Sequence, residues 1–124
     1  MINIRVLTIF PNIFESFLAY GNPARAIQMG LASVQPVDLR QFGDEPRRST
    51  DDYPYGGGIG MIMKPEPIVR GIRSLEAYDV VTHKILLTPQ GRKLKQEIVE
   101  ELSHKSELLL IVRIYVTILR LFPV

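Results

Sequence analysis

The chain has 124 residues, 46% of them apolar and 23% charged, and its 15 basic and 13 acidic side chains leave a net charge of +2. That length fits one domain able to bury a core, and that mixture excludes a disordered chain. With no cysteine there is no disulfide, thiolate chemistry or cysteine-based zinc site, and the small charge excess neither announces nor excludes a nucleic-acid partner.

Residues 2–10, INIRVLTIF, are β-branched and apolar and predict a buried strand. Pro11 stops it, and Asn12 is placed to cap a helix over Ile13–Tyr20 with Phe14, Phe17 and Leu18 on one face. Gly21-Asn22-Pro23 predicts a turn, Ala24–Met29 a short helix ended by Gly30, and Leu31–Leu39 an edge strand, because it contains Pro36. Gln41–Gly60 has no period and predicts a long loop, basic, then acidic, then glycine-rich; a loop of that length in a compact domain is usually functional or disordered. Pro65 and Pro67 open a helix to Leu75, with Ile68, Ile72 and Leu75 on one side. Lys84–Thr88 reads as a buried strand, Pro89-Gln90-Gly91 as a turn, Lys93–His104 as a helix and Glu107–Ile111 as a strand. Strands alternating with helices give an α/β fold with a mostly parallel sheet.

The amino terminus has neither the basic start nor the small-residue cleavage site of a secretory signal. The final 17 residues, LLLIVRIYVTILRLFPV, are strongly apolar but contain Arg113 and Arg120, which argues against a membrane span. The expectation is a cytoplasmic protein with no membrane partner. His83 and His104 lack ligand-like spacing and read as surface or strand-edge residues; no metal site is expected.

Three segments have chemical possibilities. In α/β sheets ligands lie outside the carboxyl ends of strands, where Leu86–Arg92 (LLTPQGR) leaves its strand. Its backbone groups, with Thr88 and Gln90, suit a polar ligand, but a plain strand-to-helix turn explains the same residues. Gly56, Gly57, Gly58 and Gly60 form a run that matches neither the Walker phosphate loop nor GxGxxG. Arg47 and Arg48 suit phosphate or a solvated loop, and Asp51 and Asp52 suit a base or a polar lead into a turn. Met61 and Met63 fit packing behind the loop.

Taken together, LTIFPNIF, YGNPARAIQMGL, RRSTDDYPYGGGIGMIMKPEP and LTPQGRKLKQE resemble the bacterial tRNA (guanine-N1)-methyltransferases in order and spacing over about residues 1–111. The resemblance implies a SPOUT-type α/β fold with a deep trefoil knot, a homodimer with active sites across its interface, and methylation of the guanine 3′ of the anticodon from S-adenosylmethionine. It implies that Leu86, Leu87, Thr88, Pro89 and Gln90 form a cofactor loop, Thr88 standing where Ser is common. It also implies that Gly57, Gly58 and Gly60, with Gly56, pack beside that pocket, and it makes tRNA the partner of Arg47 and Arg48.

The pattern then departs. Where the family continues C-G-R-Y-E-G-I-D-E-R, this chain reads VRIYVTILRLFPV, so that Arg113 stands for a cofactor-contacting Gly and Val116 for Glu, while Tyr115 matches. The family's later cofactor loops, its aspartate base, the partner arginine and the tRNA-binding domain have no counterpart in these residues. The expected organisation is the amino-terminal part of a methyltransferase domain over 1–111 and a divergent apolar tail over 112–124, whose alternation suits a strand. With those segments missing, an incomplete knot and little or no activity are expected. The alternative is a non-catalytic folded fragment or dimerising module with weak cofactor or tRNA binding.

Overall fold

The computed structural model describes residues 1–52, 62–76, 82–112 and 120–123. The apolar amino terminus forms strand β1, Ile2–Thr8, whose alternate residues point to opposite faces of a sheet. Leu7 and the following Ile9 enter one core layer, while Ile2 and Ile4 pack into another. β2 (Ala32–Asp38) pairs in parallel with β1 and forms one edge of the sheet, where Pro36 lies opposite Val6 and the missing N–H is tolerated. β6 (Glu107–Val112) lies on the other side of β1, and β5 (His83–Lys93) beyond it, both parallel. These four strands make the mostly parallel sheet that the alternating elements predicted.

The apolar tail contributes to the same sheet. β7 (Arg120–Pro123) pairs antiparallel with β5 and completes the order β2-β1-β6-β5-β7. Short strands β3 (Asp51–Asp52) and β4 (Ile62–Met63) form a separate antiparallel pair.

Helices cover both faces. α3 (Pro65–Glu76) brings Ile68, Ile72 and Leu75 onto a layer built from Leu7, Ile9, Val37, Leu39, Leu109 and Ile111. Leu7, Leu39, Leu109 and Ile111 are fully buried, each contributing about 1.5–3 kcal/mol of transfer free energy. α3 lies close because Gly71 is bare: a Cβ there would come within 2.8 Å of Leu7 Cδ2. On the opposite face α4 (Gln96–Ser103) sets Ile98 and Leu102 over Ile85, Leu87 and Leu108.

Local expectations failed in three places. α1 (Ile13–Ala19) has no side-chain cap from Asn12, because Asn12 is already helical at φ −70°, ψ −19°. Short-range bonds from the amides of Ile13, Phe14 and Glu15 to Phe10, Pro11 and Asn12 carbonyls satisfy the helix start instead. α2 (Gly21–Gln28) begins three residues before Ala24, since Pro23 sits in the first turn, where no N–H is needed. It ends as expected at Gly30, φ +71°. The predicted strand over Leu31–Leu39 gives way at its last residue to a 3₁₀ turn, Leu39–Phe42, and the loop expected from Gln41 is less irregular than its lack of period suggests, since Asp44 and Ser49 form a bridge.

Candidate functional site

The parallel register places the carboxyl ends of four strands along one edge: Thr8 beside Asp38, Leu7 beside Ile111, and Leu87 beside Val112. The segment singled out from sequence, Leu86–Gln90, lies at this edge. It does not make the predicted turn directly into a helix. β5 continues to Lys93 and α4 starts only at Gln96.

The reason is a bulge supported by β7. The pairing jumps from Leu87↔Leu121 to Arg92↔Leu121, so Thr88–Gly91 bow out between two positions that face one partner residue. Leu86 and Leu87 anchor the bulge from opposite faces, the first beneath α3 and the second in the α4 layer. Thr88 is buried, and its Oγ1 accepts the Gln90 N–H at 3.4 Å, which folds the bulge back on itself. Pro89 and Gln90 are exposed. The bulge therefore joins a buried hydroxyl to two exposed residues at the carboxyl edge of the sheet. Two strands away, buried Thr8 repeats the device, its Oγ1 accepting the Phe10 N–H at 3.1 Å.

A second feature follows the carboxyl end of β2. Asp44 and Ser49 exchange both backbone hydrogen bonds at 2.9 Å and close a turn bearing exposed Arg47 and Arg48. Gly43 makes the closure possible, since a Cβ there would lie 2.3 Å from the Arg48 carbonyl oxygen. Arg48 itself adopts φ +53°, a left-handed conformation that costs energy in any residue with a Cβ and persists only when its surroundings hold it.

Asp44 also joins this turn to α3. One carboxylate oxygen accepts from Lys64 Nζ at 3.0 Å and the other from Arg70 Nη2 at 2.7 Å. Arg70 Nε donates to the Phe42 carbonyl at 2.8 Å, and the Lys64 N–H donates to Thr50 O at 2.8 Å. The hydrogen bonds from Lys64 and Arg70, reinforced by their charges, hold the Asp44 carboxyl below the usual carboxylate range. Sequence reading missed Asp44, Lys64 and Arg70 because partners 20 and 26 residues apart leave no local pattern.

Gly56, Gly57, Gly58, Gly60, Arg113, Tyr115 and Val116 lie outside the described residues. The backbone pair β3–β4 flanks the glycine run, with Asp52 opposite Ile62. His83 begins β5 and His104 follows α4, and among the described residues no cluster of His, Asp and Glu could hold a metal ion. No described helix is long and apolar enough to cross a membrane.

Comparison with known proteins places this arrangement. The family profile described as tRNA (Guanine-1)-methyltransferase TrmD matches residues 2–120. The chain is 46% identical over 112 residues to the tRNA (guanine-N(1)-)-methyltransferase of Persephonella marina, covering 86% of this chain and 42% of that protein. It is 44% identical over 111 residues to the enzyme of that name from Dictyoglomus turgidum, covering 90% and 44%. The crystal structure of the tRNA (m1G37) methyltransferase from Aquifex aeolicus superposes with a TM-score of 0.80 at 39% identity, over 89% of this chain and 50% of that one. The chain thus spans less than half the length of these curated relatives. Identity at this level over most of these 124 residues, together with the shared α/β fold, means that the chain belongs to the tRNA (guanine-1)-methyltransferase family.

Proposed function

We propose that the protein to which these residues belong transfers a methyl group from S-adenosylmethionine to N1 of a guanine beside the anticodon of tRNA. The observation that carries this reading is the bulge at the carboxyl end of β5, where buried Thr88 holds the exposed residues Pro89 and Gln90. Leu86–Gln90 would hold the methyl donor largely through main-chain groups, with Gly57, Gly58 and Gly60 beside it and Tyr115 nearby. When bound, the donor supplies an activated methyl group on a sulfonium centre.

The protein's share is then positioning and management of one proton. Thr88 fixes the bulge, and its burial excludes water from that wall. Arg47 and Arg48 contact tRNA phosphates and set the register of the RNA. Methylation at N1 also requires a group to accept the ring proton. Residues 113–124 contain no Asp, Glu or His, and Arg113 stands where the family has a small glycine. Because Arg113 and the residues after it depart from the family's cofactor pattern, the 124 residues assayed by themselves are proposed to bind donor and tRNA weakly and to turn over negligibly. Action on tRNA makes the cytoplasm the expected location.

Transfer of radiolabelled methyl from S-adenosylmethionine into an unmodified tRNA transcript tests the catalytic part. No incorporation above background is expected from this chain, and turnover at an enzyme-like rate refutes the proposed inactivity.

A second reading, a dimerising module, draws support from α1. Ile13 and Phe17, one turn apart on α1, are 65% and 62% exposed, and Tyr20 just past its end is 76% exposed, an apolar group that suits a second copy. Light scattering on the purified chain should give a dimer that Phe17→Asp reduces to a monomer; a monomeric wild type refutes this reading.

A further inference from the structure

Asp44 is the acid most tightly bound into the basic turn, yet it is half-exposed and its pairs with Lys64 and Arg70 are surface pairs. Such pairs add little to stability, so the arrangement calls for another explanation. Its geometry supplies one. The Asp44 main chain closes the Arg47–Arg48 turn on Ser49, while its side chain ties that turn to two points on and just before α3. α3 is in turn seated on the core through Gly71, Ile68 and Ile72. Among the described residues Arg47 and Arg48 make no ion pair, and the left-handed Arg48 backbone is held between these fixed ends.

We propose that Asp44 is a positioning residue for RNA binding: it fixes the Arg47–Arg48 turn against α3 so that the two guanidinium groups meet RNA phosphates as a preorganised pair. The assignment rests on the reading above that Arg47 and Arg48 contact tRNA. It makes a prediction of unusual sign. Asp44 is an anion close to a polyanion site, so simple electrostatics has its removal tighten RNA binding. Loss of positioning weakens it instead, because guanidinium groups that must be ordered on binding cost entropy that fixed ones do not.

The test is fluorescence anisotropy of the full chain with an unmodified tRNA transcript across a series of KCl concentrations. Arg47→Ala/Arg48→Ala should weaken binding and lower the slope of log K against log salt by about 1.4 to 1.8, the value for two lost phosphate contacts. Asp44→Asn should weaken binding about fivefold or more and add nothing further in the triple variant, since groups acting as one unit are not additive. Asp44→Glu, which keeps the charge, should retain most of the affinity. Gly43→Ala, which forces the turn open without altering charge, should reproduce the Asp44→Asn loss and covers the case in which Asp44→Asn does not fold.

Tighter binding by Asp44→Asn overturns the assignment, as does an equal further loss in the triple variant. If the double arginine variant binds like the wild type, the RNA reading itself fails and the assignment falls with it. If only Asp44→Asn is without effect, the reading stands and Asp44 has no positioning role.

Discussion

Gly43 offers a sharp test of how the basic turn is built. Its backbone, at φ −70° and ψ 164°, is one that alanine adopts freely, so Gly43→Ala carries no conformational strain. In a vacant site the change would even stabilise the fold, by about 0.4–1 kcal/mol, through the less flexible unfolded chain. The site is not vacant. A Cβ would lie 2.3 Å from the Arg48 carbonyl oxygen and 2.4 Å from its carbon, both main-chain atoms that cannot rotate away. Relief requires the Asp44–Ser49 bridge to open, losing two hydrogen bonds of about 1 kcal/mol each, with an overpacking cost of about 1–3 kcal/mol if the turn only partly yields. Setting the gain against the losses leaves a net destabilisation of about 2 kcal/mol, or roughly 8 °C in Tm for a domain of this size. Thermal unfolding followed by circular dichroism measures the shift, and hydrogen exchange at the Asp44 and Ser49 amides locates it. An unchanged or raised Tm with both amides still protected would refute the reasoning. Gly30→Ala is the control with the opposite cause: nothing lies within 4 Å, but φ is +71°, so a cost of about 1–2 kcal/mol is expected with the Asp44 and Ser49 amides unaffected.

Other outcomes follow from the same structure. Leu7→Ala removes a fully buried side chain from beneath α3 and should cost about 2–5 kcal/mol by urea denaturation. Thr88→Val keeps the shape of the bulge residue but leaves the Gln90 N–H without its hydroxyl acceptor, and should weaken binding of S-adenosylhomocysteine severalfold by calorimetry, whereas Thr88→Ser should not. Because the folded-state pKa of Asp44 is depressed, its stabilising contribution is present above the ordinary carboxylate value of 3.8 and is lost as pH falls through the lower folded value. The stability difference between wild type and Asp44→Asn should therefore be constant at neutral pH and vanish in acid, and a difference that grows in acid would contradict the assigned pairing.

The parts of this fold that could be read from sequence are those fixed by local pattern. The β-branched apolar run gave β1, and Ile68, Ile72 and Leu75 on one side of α3 gave a face that covers the sheet, because each side chain's burial follows from its place in a short period. Pro36 marked the edge strand correctly, since a missing donor is tolerated only there. The Pro89-Gln90-Gly91 segment was misread because turn residues are equally at home in a bulge. Whether β5 stops or continues depends on β7, some thirty residues later in the chain. Asp44 was invisible for a related reason: nothing in GDEPRR reports that Lys64 and Arg70 will converge on one carboxylate. For the site, sequence located the bulge and the basic turn, but not the contacts that hold either in shape.

The central claim, that the β5 bulge is the wall of a methyl-donor site, is most directly tested by titrating the isotopically labelled chain with S-adenosylhomocysteine and following its amide resonances. The account predicts saturable shifts at Leu87, Thr88, Gln90 and Gly91, with Leu94 and Leu102 in the α4 layer unmoved. Saturation with shifts confined to other residues, or no response at the bulge at millimolar ligand, would contradict it.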